Sequence, residues 1–157
     1  MLHQEDALPN DARDVCRRFN ELDLHDSQLI GIQIEQEHGS RSAHVRMRLA
    51  NVTHIGGVVS EARGATLSFS GCADMSLTVD FFNKSMVGDA IDSANCKFDA
   101  ARIAQLAQDD PPRARTQGLD NLLFFSLRLT PISGEISLLA KAFDFVFESS
   151  PARARVP

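Results

Sequence analysis

The segment Gln28-Leu29-Ile30-Gly31-Ile32-Gln33-Ile34-Glu35, the turn-like His38-Gly39-Ser40-Arg41-Ser42, and His44-Val45-Arg46-Met47-Arg48-Leu49 decide the fold class. Apolar and polar residues alternate on both sides of the turn, and a period of two belongs to strands because successive side chains point to opposite faces. Ile30, Ile32 and Ile34 are expected on one face with Gln33 and Glu35 on the other. Val45, Met47 and Leu49 are expected inward, with His44, Arg46 and Arg48 outward. The reading is an antiparallel pair with one wet face.

The same period recurs downstream. Leu67 and Phe69 alternate with Thr66, Ser68 and Ser70, and after a break at Gly71-Cys72-Ala73-Asp74 come Met75, Leu77, Val79 and Phe81. A weaker strand is expected over Ala90 to Phe98, after a Gly88-Asp89 turn. Leu123, Phe125, Leu127 and Leu129 give the most regular alternation. A hairpin turn at Pro131-Ile132-Ser133-Gly134 leads to Ile136, Leu138 and Ala140. Phe143, Phe145 and Phe147 then take the opposite parity, which requires a bulge near Lys141-Ala142 or a strand covered on both faces. Residues 53–65 are expected to be a loop.

Two segments keep a helical period instead. Ala12, Val15, Cys16, Phe19 and Leu22 form one apolar stripe, with Asn10 or Asp11 as cap, Asp14 near the positive dipole end and Arg13, Arg17, Asn20 and Glu21 on the far side. Asp99 reads as the N-cap of a second helix with Ile103, Leu106 and Ala107 inward, stopped by Pro111-Pro112. About seven strands, two helices and no β-α-β alternation predict a mainly β (α+β) fold. The expected form is an antiparallel sheet or sandwich with the first helix closing one end or open face. One domain is expected over residues 10–148, with a loose segment 1–9, an exposed loop over 109–121 and a flexible tail 149–157.

Composition narrows function. The chain has 157 residues and ten Phe but no Trp or Tyr, which places its aromatics in the core and argues against a base-stacking surface. Residues 1–37 hold nine Asp/Glu against three Lys/Arg, and the remainder twelve against thirteen. A basic nucleic-acid footprint is therefore missing, and the acidic first part suits a basic protein partner. Neither a signal peptide nor an apolar run of membrane-spanning length is present, so a cytoplasmic protein is expected. Cys16, Cys72 and Cys96 match no zinc spacing and are expected to be buried free thiols, Cys16 among them protected by the helix stripe. No metal or cofactor is expected.

Chemistry concentrates in Leu24-His25-Asp26-Ser27-Gln28-Leu29-Ile30-Gly31-Ile32, between the first helix and the first strand. His25, Asp26 and Ser27 have the residue types of a catalytic triad, but three consecutive residues fan apart in a strand or a helix and rarely converge. The expected role is structural: Asp26 and Ser27 bond nearby backbone amides and fix a turn, and His25 bonds a carboxylate or carbonyl. His3, His38, His44 and His54 read as scattered and exposed. The same stretch resembles the aromatic-His-Asp-small-x-Leu-x-x-Ile opening of certain small bacterial domains, with Leu24 standing where they carry the aromatic. Some of these are immunity proteins of polymorphic toxin systems. The resemblance implies an antiparallel β fold and a non-enzymatic binding role, and it carries over no catalytic residue. A small-molecule-binding domain with a Phe-lined pocket in the last strands is the alternative, and a hydrolase using His25 and Asp26 the third.

Overall fold

The computed structural model describes residues 10–39, 42–52, 54–59, 62–78, 90–112, 119–130 and 134–148. Gln28–Gln36 (β1) and Ala43–Asn51 (β2) pair antiparallel, with Ile34 opposite Val45 and Ile32 opposite Met47. β2 keeps the expected alternation: Val45, Met47 and Leu49 are buried, Arg46 and Arg48 exposed. β1 departs from it. The register shifts between Leu29 and Gly31, so Leu29 stands opposite Leu49 and Ile30 is an extra residue, 55% exposed. A bulge inserts one residue and reverses parity across it. The three isoleucines therefore do not share a face.

Among the described residues, eight strands form one antiparallel sheet. β5 (Arg63–Cys72) lies on the far side of β2, and β10 (Ala142–Phe147) lies beyond β5. Across β1 follow β7 (Ala90–Lys97), β8 (Leu123–Thr130), β9 (Gly134–Ala140) and β6 (Asp74–Thr78), giving the order β10-β5-β2-β1-β7-β8-β9-β6. Among the described residues, the ladder joining the two four-stranded halves is the single pair Gln28–Ala90. At the opposite corner β5 runs into β6 across Ala73, and β9 into β10 across Lys141. Because β10 pairs with β5 and β6 with β9, two bent ribbons carry the chain from one half to the other. Gly71, with φ at 60°, makes this bend, and the side chain of Lys141 packs where its Cβ would stand. The corner amides stay satisfied through Lys141 N to Ser70 O and Ala73 N to Leu139 O.

The enclosed faces meet in one core built from Met47, Leu67, Phe69, Phe125, Leu127, Ile136 and Leu138. α1 (Asn10–Asn20) packs its apolar stripe onto that core, as the helical period predicts. Phe19 enters it, with ring centroids 5.0 Å from Phe125, 5.1 Å from Phe143 and 6.1 Å from Phe69. Its carrier helix is fixed on β7 by Asn20, whose side chain donates to Cys96 O at 3.0 Å and accepts from Cys96 N at 2.7 Å. α2 (Ala100–Asp109), capped by Asp99 accepting from Arg102 N, lays Leu106 against Ala73, Leu122 and Leu139. β9 is thus covered on both faces, and the change of parity falls at Lys141, where the chain changes strand.

Residues 53–65 differ from the loop expected there. His54–Ile55 (β3) pairs with Val58–Val59 (β4) as a separate two-stranded hairpin, and β5 already begins at Arg63. Within 109–121, Leu119–Asn121 forms a 3-10 turn. The expected turns at Gly88-Asp89 and 131–133, residues 79–81, segment 1–9 and tail 149–157 lie outside the described residues.

Candidate functional site: a His/Asp corner at the seam of the sheet

After α1 the chain buries Leu24 and turns at once, with Ser27 N donating to Leu24 O at 3.1 Å. Asp26, the third residue of this turn, has φ at 65°. Left-handed backbone favours glycine, and aspartate tolerates it better than most other residues. The turn is also the seam of the sheet: Asp26 N donates to Ile91 O and Ile91 N to Ser27 O, both at 2.8 Å. These bonds extend the single rung between β1 and β7.

Ser27 is fully buried. Its Oγ accepts from Asn51 Nδ2 at 2.9 Å and from Val52 N at 3.2 Å. Asn51 Nδ2 also donates to Asp23 O at 2.9 Å, which ties the end of β2 to the turn. A hydroxyl held this way is a structural acceptor and cannot meet a substrate, so His25, Asp26 and Ser27 do not assemble as a triad. Ser27 does bond a backbone amide, as expected, but one brought from the end of β2. Asp26 differs from expectation, because its carboxylate goes to imidazoles.

His54, read from the sequence as one of several scattered histidines, is the centre of the cluster. Its backbone N–H donates to Asp23 Oδ2 at 3.1 Å, its Nδ1 lies 3.4 Å from the same oxygen, and its Nε2 lies 3.1 Å from Asp26 Oδ2. The bond to Asp26 holds the His54 pKa above its ordinary 6.5; partial desolvation opposes this, and Asp23 adds to it. His25 sits on the other side of Asp26. Its Nδ1 donates to the Asp92 carbonyl at 2.8 Å, and its Nε2 is 3.5 Å from Asp26 Oδ1. The two rings are 5.8 Å apart, with the Asp26 carboxylate facing both. Every ring nitrogen of His25 and His54 therefore faces a protein oxygen. Among the described residues no group of three or more His, Cys, Asp or Glu is arranged to hold a metal ion.

The β3–β4 hairpin rises from this cluster. Gly56 and Gly57 have φ at 61° and 78°, the pattern of a type I′ turn, which matches the twist of paired strands. Ile55 and Val58, paired across the hairpin, are 74% and 70% exposed. Two aliphatic side chains thus stand in solvent on the hairpin whose first residue, His54, meets the two carboxylates. Among the described residues, neither Asp23 nor Asp26 pairs with a Lys or Arg.

A second concavity lies on the wet face of β1, β2 and β5, a shallow groove of about 260 Å³ lined by Gly31, Ile32, Gln33, Arg46, Arg48 and Thr66. Its arginines already face carboxylates, Arg46 with Glu35 at 3.7 Å and Arg48 with Glu148 at 3.4 Å. The candidate site residues His25, Asp26 and Ser27 precede β1 and take no part in this groove. Sequence reading missed Asp23, Asn51 and His54. The available signal was strand register: once β1 and β2 are paired, the residues after β2 must arrive beside those before β1. No protein-family model, curated protein or solved structure matches the chain.

Proposed function

We propose that this chain is a non-enzymatic cytoplasmic binding domain, of the immunity type, which neutralises a basic protein toxin by covering it with the His/Asp corner and the β3–β4 hairpin. The observation that carries this reading is a hairpin whose first residue, His54, is held by the carboxylates of Asp23 and Asp26, while the next residue, Ile55, and its cross-strand partner Val58 stay exposed. Protein interfaces combine an apolar centre with a polar rim, and a few buried anchors dominate their energy. Branched side chains on a tight hairpin lose little rotamer freedom when they dock. Arg17 and Arg18 of α1 are engaged within the helix, Arg17 by Asp14 and Glu21, and Arg18 by Asp14. The corner thus keeps negative charge for a Lys- or Arg-bearing partner. The acidic first 37 residues and the resemblance of the Leu24–Ile32 segment to immunity domains favour the same reading.

His25 Nδ1 is engaged by the Asp92 carbonyl and the Asp26 carboxylate by two imidazoles, which weighs against the hydrolase alternative that uses His25 and Asp26. Contacts among Phe19, Phe69, Phe125 and Phe143 fill the space between the half-sheets, which weighs against a Phe-lined ligand pocket. The test is calorimetric titration of the purified chain with the polypeptide encoded beside its gene, at low and high salt. The expected result is a complex that salt weakens and that loses about tenfold or more in affinity with Ile55→Ser/Val58→Ser or Asp23→Asn/Asp26→Asn. A neighbouring product that fails to bind, or binding untouched by both double variants, refutes the reading.

A further inference from the structure

Cys16 on α1 and Cys96 on β7 bring their sulfurs to 2.8 Å, far in sequence at a separation of 80 residues, and both are thiols. A bonded pair would sit at about 2.05 Å, so this is an unjoined contact at almost bonding range. The approach is set by backbone anchoring. Asn20, one helical turn after Cys16, brackets the amide and carbonyl of Cys96 itself, which fixes the height of α1 on β7 at the residue carrying the second thiol. The two sulfurs differ in access: Cys96 is 3% exposed, whereas Cys16 is half-buried at the rim of the helix. Cys16, expected to be buried like the other two thiols, is instead partly buried against the core. The third thiol, Cys72, is buried and donates to Asp74 O, at the bend between β5 and β6.

We propose that Cys16 and Cys96 are a paired oxidation site, which hydroperoxides convert to an intramolecular disulfide that small thiols reopen. In the first step the Cys16 thiolate attacks one peroxide oxygen, the O–O bond breaks, and Cys16 becomes a sulfenic acid while the other oxygen leaves as water or alcohol. In the second step the Cys96 sulfur attacks the Cys16 sulfur. The S–S bond forms, the S–O bond breaks, and the departing hydroxide takes the Cys96 proton as water. Two thiols are oxidised by two electrons and one peroxide is reduced. The order follows from environment: the hydrogen bond to Cys16 and burial both push the Cys96 thiol up, so Cys96 stays protonated and resolves what Cys16 begins. The bond would tie the helix that carries Phe19, and that leads into Asp23 and His25, to the half-sheet on which it rests.

The experiment uses the full chain, reduced and then exposed to hydrogen peroxide, followed by intact mass, thiol counting, non-reducing peptide mapping and thermal melting. The expected product has lost two hydrogens, keeps one titratable thiol, contains a Cys16–Cys96 linked peptide and melts on the order of 5–10 °C higher. Excess thiol should reverse every change. Cys72→Ser should oxidise like the parent, and Cys16→Ser, confirmed folded by circular dichroism, should form no intramolecular link. Three free thiols after treatment, a link through Cys72, or oxygen added to Cys16 without linkage would each overturn the proposal.

Discussion

Asn51 is the most informative residue to perturb, because it holds the candidate site in place without belonging to its exposed chemistry. Its side-chain amide is buried and makes two bonds at 2.9 Å, to Asp23 O and to Ser27 Oγ. Asn51→Ala removes both, each worth about 1 kcal/mol net, and leaves the Asp23 carbonyl short of a donor at up to about 2 kcal/mol more. The expected loss is therefore about 2–4 kcal/mol. For a chain of this size that lowers the melting temperature by roughly 5–15 °C. Ser27→Ala should cost about 1–3 kcal/mol, because it strips the Val52 amide of its acceptor. The Ser27 and Asn51 losses share one bond, so the double variant should fall short of their sum by about 1 kcal/mol. Urea unfolding followed by far-UV circular dichroism measures all three, since a chain without Trp or Tyr gives little fluorescence signal. An Asn51→Ala variant within about 0.5 kcal/mol of the parent, or strictly additive losses, would refute the view that this network anchors the corner.

Three further outcomes are expected. Asp26 sits at φ 65°, so Asp26→Gly should melt close to the parent while Asp26→Val loses at least about 1–2 kcal/mol; equal melting points would dismiss backbone strain at this turn. The His54 imidazole, followed by NMR, should titrate above 6.5 and drop back towards that value in Asp26→Asn. Because its folded pKa is the raised one, the stability it contributes is fully present below the unfolded value of 6.5. That contribution fades as pH climbs through the folded midpoint, and a midpoint at or under 6.5 contradicts the assignment. Leu127 is buried on β8 and Arg128 is exposed beside it, so Leu127→Ala should cost about 2–5 kcal/mol and Arg128→Ala within about 0.5 kcal/mol; similar costs would disprove the register.

The legibility of each element tracked its surroundings. β2 and β8 are paired on both edges and turn one face to the main core, so their alternation is visible in Val45, Met47, Leu49 and in Phe125, Leu127, Leu129, with Phe124 alone turned to the α2 cluster. β1 misled because Leu29 and Ile30 are both apolar: the pattern accepts either parity, and only pairing with Leu49 and Arg48 shows which residue is the bulge. β9 lost its period because α2 covers its second face, bringing Leu139 inside as well as Leu138. The break at Gly71–Asp74 was visible as a turn. Its meaning was not, because glycine marks a bend without saying whether the chain doubles back or, as here, moves on to the other half-sheet. The short β3–β4 hairpin escaped notice because two-residue strands carry no period at all.

At the corner, folding itself accounts for much of what first looks like chemistry. With one rung between β1 and β7, the seam needs the two Asp26–Ile91 and Ser27–Ile91 backbone bonds, and making them forces a tight turn with one left-handed residue. Strain at Asp26 therefore has a structural cause and is not in itself a mark of function. The buried bonds of Ser27 and Asn51 belong to the same task. Folding gives no comparable reason for His54 to set both ring nitrogens against Asp23 and Asp26, or for the next residue to open a hairpin with two aliphatic side chains in water. Exposed side chains of this kind contribute little to stability, yet they are held on a turn tied down by Ser27, Asn51 and Ile91. Rigid support beneath exposed, mixed apolar and acidic groups lowers the entropy lost on docking. For that reason the binding reading rests on His54, Ile55, Val58 and the two carboxylates, and not on the His25-Asp26-Ser27 run itself.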